Sequence, residues 1–264
     1  MKNIYIFSGP TLQIDCLIAN KALFKEKKVS FLGDDRVALE SVQLNFLPPV
    51  QQADVFRLVE KHNPYGIAII DGYFEATASV WHKEILYALS EGVHVFGASS
   101  MGALRAAELS IFGMKGIGKI FEAYLSGFLE DDDEVTVAHG PAELGFMSCS
   151  DAMVNIRATM DKALSQGLIC DDTHKSVIRL SKQTHYKQRD IKSTCAQVYK
   201  QQWNGNSDYK EFLVWLDNNI VDQKKIDALE LISMLVSLDE MEPKPFKPEF
   251  NFEDTLIWRS FCKA

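Results

Sequence analysis

The sequence predicts an α/β fold: a Rossmann-like, doubly wound parallel sheet followed by a C-terminal helical region. Three observations lead there. Between residues 4 and 111 short apolar runs alternate with amphipathic stretches, as strands and helices alternate in a parallel sheet. One of those runs, Ile67-Ala68-Ile69-Ile70, is apolar throughout, as a central strand covered on both faces must be. From residue 148 onward the strand patterns cease, and apolar residues recur at helical spacing, beginning with Met153, Ile156, Met160 and Leu164. The expected division is an α/β core over 1–147 and a helical region over 148–264.

In order, Ile4 to Phe7 reads as a buried strand that Ser8-Gly9-Pro10-Thr11 turns into a helix over 12–27. That turn has neither the three-glycine spacing of a dinucleotide fingerprint nor the Gly-Lys-Ser/Thr ending of a P-loop, so it is weak support for a nucleotide site. Residues 29–32 read as a second strand, and the segment up to Leu47 is ambiguous until Pro48-Pro49 closes it. A helix over 52–62 stops at Asn63-Pro64, and the strand over 65–70 ends in Asp71, at the sheet edge where open α/β folds place ligands. A helix over 81–91 carries His82, Lys83 and Glu84 in its first turn. After the turn Gly113 to Gly116 a helix is expected over 117–126, then an acidic run over 130–134, then a strand over 135–138 that delivers His139. Ser148 with Asp151 resembles a capping pair, and helical stretches follow near 172–202 and 209–238. A Pro-rich connector over 243–248 leads to a last segment bearing Trp258.

With 264 residues, 47% of them hydrophobic, the chain can bury a full core. It shows no apolar run of the roughly 18 to 20 residues that span a membrane, and no signal-peptide pattern, which predicts a cytoplasmic protein. Five cysteines, an odd number without C-x-x-C spacing, argue against a disulfide framework and a zinc site. The net charge of −8 is concentrated in residues 1–150, which hold 12 basic against 19 acidic side chains. Such a surface is unsuited to nucleic acid, whose binding depends on neutralising phosphates. Five consecutive carboxylates over 130–134 could recruit a divalent cation, but calcium-loop spacing is absent and a solvated loop is the simpler expectation.

The chemistry concentrates at residues 93–111. Val93, Val95 and Phe96 read as a strand, Gly97 to Ser100 as a tight turn, and Met101, Leu104, Ala107 and Ile111 as a helix face. The first N–H groups of a helix have no intrahelical acceptors, so an anion or a developing oxyanion is stabilised there. Ala98-Ser99-Ser100-Met101-Gly102 fits a nucleophile elbow with alanine at the first small position, Ser100 as nucleophile and the Met101 N–H as an oxyanion donor. The same residues also suit a plain helix cap, with Gly102 allowing close packing on the sheet.

Four blocks resemble the TfuA-like proteins: Leu47-Pro48-Pro49 with Gln51 to Val55; Asp71-Gly72-Tyr73-Phe74-Glu75 with Trp81-His82-Lys83-Glu84; Gly97 to Leu109; and Glu130 to Glu143 with Ala152 to Thr159. The resemblance covers about 47–160. It implies a partner of YcaO-type enzymes, which activate backbone amides with ATP, and a role in exchanging a peptide carbonyl oxygen for sulfur. YcaO would phosphorylate the amide, and the TfuA-like protein would deliver or liberate sulfur from a sulfur-carrier protein or another sulfide donor, the peptide being held by YcaO. No cofactor, metal, nucleic acid or membrane is expected, and whether copies of the chain associate is open.

Liberating sulfide from a thiocarboxylate is an acyl transfer, which needs a nucleophile, a base and an oxyanion site. The candidates are Ser100 as nucleophile and His139 as base, with Asp71 or a carboxylate of 131–133 orienting it. His82 competes as base because a helix N-terminus favours neutral imidazole. Ser99, Met101, Gly102, Arg105, Glu75 and Arg157 are the candidate substrate-binding residues. For both histidines a structural hydrogen-bonded role is the alternative, and for Arg105 an ordinary pairing with Glu108 or Glu122. A non-catalytic adaptor docking on YcaO is the competing function, and a nucleotide module using Ser8-Gly9-Pro10 and Asp71 a third.

Overall fold

The computed structural model describes all residues except 20, 25, 26, 34, 76, 203–208, 241–243 and 264, so Pro243 of the Pro-rich connector lies outside the described residues. The chain packs as two compact units, Met1–Glu130 with Lys225–Ala264, and Asp131–Lys224. Residues 131–147 thus group with helices, and the last forty residues with the sheet.

The first unit is built on a seven-stranded sheet ordered β2-β3-β4-β1-β5-β6-β7. The strands are β1 (Lys2–Phe7), β2 (Ser30–Phe31), β3 (Arg36–Ala38), β4 (Val42–Leu47), β5 (Gly66–Ile69), β6 (His94–Ala98) and β7 (Lys115–Ile117). From β4 to β7 all neighbours are parallel, whereas β2 and β3 add an antiparallel edge. The doubly wound prediction holds. The order in which the chain adds strands reverses between β1 and β5, the switch point at which such sheets open a crevice.

Alternation along each strand sends side chains to two cores. Ile4, Ile6, Val42, Leu44, Ala68 and Phe96 pack with Leu17 of α1 (Ile14–Ala19) and with Leu231, Ile232 and Leu235 of α10 (Gln223–Ser237). Phe7, Ile67, Ile69, Val93 and Val95 pack against α2 (Asp54–His62), α3 (His82–Ser90) and α4 (Met101–Leu109). Every residue of β5 is buried, as its unbroken apolar run requires.

Several expectations fail locally. The ambiguous stretch before Leu47 is the β2-β3-β4 meander. The Gly113-to-Gly116 turn contains β7, so the following helix, α5, is Lys119–Leu125 rather than 117–126. Gly118, at φ +94°, separates the two, and the buried Asp227 carboxylate accepts the Ile120 N–H at 2.8 Å to close the helix start. No strand forms over 135–138; the Thr136 hydroxyl instead donates to the Asp132 carbonyl, and His139 makes only an isolated bridge to Ser148.

The second unit holds α6 (Met153–Ser165), α7 (Asp171–Gln183), α8 (Ile191–Gln202) and α9 (Tyr209–Asn219) around Ile156, Met160, Val177, Cys195, Phe212 and Leu216. The expected Ser148–Asp151 cap is absent: Ala152 precedes α6, and Asp151 accepts the Ile191 N–H at 2.8 Å. The acidic run is solvated only in its first half: Glu130, Asp131 and Asp132 are exposed, whereas Asp133 and Glu134 are drawn into the unit. Glu134 is buried and takes both ends of the Arg157 guanidinium at 2.9 Å, Lys182 bridges Asp131, Asp133 and Glu134, and the wholly buried Arg189 holds Asp133 at 2.8 Å. In the first unit the C-terminal α11 (Leu256–Phe261) sets Trp258 against Phe56 and Tyr87.

Among the described residues no helix is long and apolar enough to cross a membrane.

Candidate functional site

The strand–turn–helix junction forms as the sequence indicates, and two glycines make it tight. A Cβ on Gly97 would sit 2.1 Å from the Gly102 carbonyl oxygen, and one on Gly102 would sit 1.7 Å from the Ile69 carbonyl oxygen. Backbone therefore meets backbone where α4 crosses β5 and β6, and the Gly102 N–H donates to the Ile70 carbonyl at 3.3 Å. That leaves Met101, first residue of the helix, with an N–H that has no intrahelical acceptor.

Between strand and helix lie the two serines. Ser99 has φ +70°, and the Ser100 N–H donates back to the Ala98 carbonyl at 2.9 Å, the i to i+2 pattern of a γ-turn, which with positive φ at its centre is rare and strained. Ser99 is 0% exposed and its hydroxyl has no hydrogen-bond partner among the described residues. Ser100, 8% exposed, occupies the cap position of α4, but its side chain makes no cap hydrogen bond. The plain helix-cap function therefore does not account for either hydroxyl. Sequence reasoning centred the turn on Ser100, whereas the backbone strain falls on Ser99; residue type alone carries no signal for that difference.

Asp71 lies at the end of β5 as expected, 1% exposed, and is bound to the turn after β1. Its carboxylate accepts the Gly9 N–H at 2.9 Å, the Thr11 N–H at 3.0 Å and the Thr11 hydroxyl at 2.6 Å. These bonds tie β1 to β5 across the switch point. They also occupy the N–H groups that a phosphate at Ser8-Gly9-Pro10 would need, so this loop is not an open anion cradle. Glu75, four residues on, is exposed with φ +58°.

His82 opens α3, and its Nε2 meets Glu108 Oε2 at 2.7 Å; Arg105 Nη1 reaches the same oxygen at 2.7 Å. Burial tends to raise the Glu108 carboxyl, but His82 and Arg105 outweigh it and hold it below the ordinary range. At 1.5 Å per residue, Glu108 lies about 12 Å along α4 from Ser100, so this ion cluster gathers at the far end of the helix. Beside His82, the buried Glu84 accepts N–H groups from Trp81 at 3.1 Å and Phe56 at 3.3 Å, joining the starts of α3 and α2. Burial pushes its carboxyl up despite those donors.

His139 and Arg157 belong to the second unit. His139 is half-buried, its Nδ1 2.8 Å from the Gly140 carbonyl and its ring edge-on to Phe146. Arg157 is committed to Glu134, which raises its already high pKa and leaves the guanidinium bidentately engaged. The structure thus brings Ser99, Ser100, Met101 and Gly102 together at one helix start, and Arg105 with His82 at the opposite end of the same helix. Lys182 and Arg189, the remaining cations of the acidic run, were not singled out by the sequence because they lie about 50 residues from the carboxylates they bind.

No curated protein matches the sequence. Among solved structures, the cytosolic domain of L. pneumophila FeoB aligns at 12% identity over 90% of this chain and 98% of that one, with a TM-score of 0.22, too low to support any inference. A family model described as TfuA-like protein matches residues 71–190. That stretch includes Asp71, the paired serines and the acidic run, and over it the chain is similar to the TfuA-like proteins.

Proposed function

We propose that the protein is an accessory of a YcaO-type enzyme in peptide backbone thioamidation, and that it liberates sulfur by serine-dependent hydrolysis of a thiocarboxylated carrier protein. The TfuA-like match supports an accessory role in the thioamide pathway. The observation that carries the hydrolytic half is the Ser100 hydroxyl, free of any cap bond at the N-terminus of α4 and next to a strained serine.

In this reading the Ser100 oxygen attacks the thiocarboxylate carbon while its proton passes to a base. The Met101 N–H and the positive end of the helix stabilise the oxyanion. Collapse breaks the C–S bond, sulfide leaves with the electron pair, and a serine ester remains. Water then hydrolyses that ester, releasing the carrier carboxylate and restoring Ser100. Of the two histidines nominated by the sequence, His82 shares a unit with Ser100 and His139 does not, so His82 is the base in this reading, released from Glu108 to take the proton. Asp71, saturated by the β1 turn, acts as the tie that fixes the sheet edge rather than as a proton carrier.

One observation favours the adaptor alternative: Ser100 is nearly buried, and no base is hydrogen-bonded to it among the described residues. Thioamidation assays with YcaO, supplied either with thiocarboxylated carrier or with free sulfide, distinguish the two. A hydrolase predicts that Ser100→Ala loses carrier-dependent product and keeps the sulfide-dependent product. Equal stimulation by wild type and variant from both donors would make the protein an adaptor.

A further inference from the structure

A cleft of about 570 Å³ opens at the carboxyl ends of β1 and β4, and neither Ser99 nor Ser100 lines it. Its floor is Phe7 and Leu47, paired in register at the two strand ends. Pro48, Pro49 and Tyr73 give it an apolar side. The other is the face of α2 that carries Asp54, Arg57 and Lys61, brought into line by spacings of three and four residues.

The charges on that helix face are arranged unequally. Asp54 is engaged by the protein, accepting the Gln51 N–H at 3.0 Å and lying within electrostatic reach of Arg57. Arg57 and Lys61 are exposed and form no ion pair or side-chain hydrogen bond among the described residues. Arg57 and Lys61 against Asp54 leave the charged side chains of the cleft net positive in a unit that is otherwise acidic. The volume is that of a small-molecule site, and the location is the strand edge where open α/β sheets bind their ligands. Two adjacent cations match the charge of a polyphosphate better than that of a single carboxylate. The prolines and Tyr73 offer a planar ring the surface it stacks on.

We propose that this cleft binds a nucleoside phosphate, with the ring against Pro48, Pro49 and Tyr73 and the phosphates on Arg57 and Lys61. The site is independent of the serine chemistry proposed above and of the β1 turn, whose N–H groups belong to Asp71.

The test is calorimetric titration of the full chain with ATP, adenosine and tripolyphosphate, for wild type, the double variant Arg57→Gln/Lys61→Gln, and Ser100→Ala. ATP is expected to bind more tightly than either fragment, the double variant to weaken it at least about tenfold, and Ser100→Ala to bind like wild type. Both cations are exposed, so the double variant should keep the wild-type urea midpoint, which is measured alongside. The proposal is overturned by no heat with ATP at millimolar concentration, by undiminished binding in the double variant, or by tripolyphosphate binding as tightly as ATP.

Discussion

Replacing Ser99 with glycine should make this protein more stable, which is unusual for a fully buried residue. Two costs meet at Ser99. A non-glycine residue in the left-handed region pays roughly 1–2 kcal/mol, and a buried hydroxyl without a partner pays about 1–3 kcal/mol. Glycine removes both. Against that gain stand the extra backbone entropy of glycine in the unfolded chain, about 0.5–1 kcal/mol, and the buried CH₂ that is lost, about 0.8 kcal/mol. The net expectation is stabilisation centred on about 2 kcal/mol, read as a higher urea midpoint at unchanged slope, or as a rise of roughly 4–8 °C in the melting temperature. If the strain is retained for function, the same variant should release less sulfide. A fall in the urea midpoint would refute the reasoning, because it would mean that the Ser99 hydroxyl is satisfied in the folded protein and its conformation unstrained.

Ser100→Ala should change stability by less than about 0.5 kcal/mol, since no cap bond is lost; a cap serine would cost about 1 kcal/mol, and chemical denaturation separates the two. Gly102→Ala should destabilise by about 3 kcal/mol or more despite alanine's better helix propensity, because its Cβ meets the Ile69 carbonyl, which belongs to a central strand and cannot move aside; a wild-type melting curve would contradict the packing described. Arg189→Met should cost the helical unit about 2–4 kcal/mol by leaving the Ser181, Asp133 and Thr184 carbonyls without their buried donor, Asp133 itself keeping Lys182, as measured by hydrogen exchange in α7 and α8. Although burial works to raise the Asp133 carboxyl, Lys182 and Arg189 hold it below the ordinary range, so it binds fewer protons folded than unfolded. Its contribution to stability is therefore full above the unfolded carboxylate pKa, near 4, and is lost as pH falls through the lower folded value; acid titration of wild type should show that loss and Asp133→Asn should flatten it.

The parts of the fold that were legible in the sequence are those whose cause is local. The β5 run announces itself because burial on both faces leaves no polar positions, and α2, α3 and α4 because one apolar stripe repeats at helical spacing. The edge of the sheet was not legible in the same way. Three-residue β7, Lys115-Gly116-Ile117, has no propensity of its own and exists because β6 offers it a parallel ladder at Phe96, Gly97 and Ala98. The opposite error, a strand over 135–138, came from the same source. Val135 and Thr136 look like strand residues, but the Lys224 ammonium reaches the Val135 carbonyl at 2.8 Å and the Ala138 N–H donates to the Ser150 hydroxyl at 2.8 Å, so that backbone is served without a neighbouring strand. The acidic run misled because a like-charge run is usually solvated, and its counter-charges at Arg157, Lys182 and Arg189 become neighbours only when the helices pack. At the candidate site the serine pair and Gly102 were visible in the sequence. The positive φ at Ser99, its orphaned hydroxyl and the engagement of Asp71 by the β1 turn were not, since each is a property of three elements meeting.

The central claim is that the α4 serine does chemistry. Its most direct test is sulfide release from a thiocarboxylated carrier protein, with no YcaO present, by purified wild type and by Ser100→Ala of equal stability. Release by wild type, abolished in the variant, is the result expected here. Equal release by both would contradict the role given to Ser100, and release by neither would contradict hydrolysis itself.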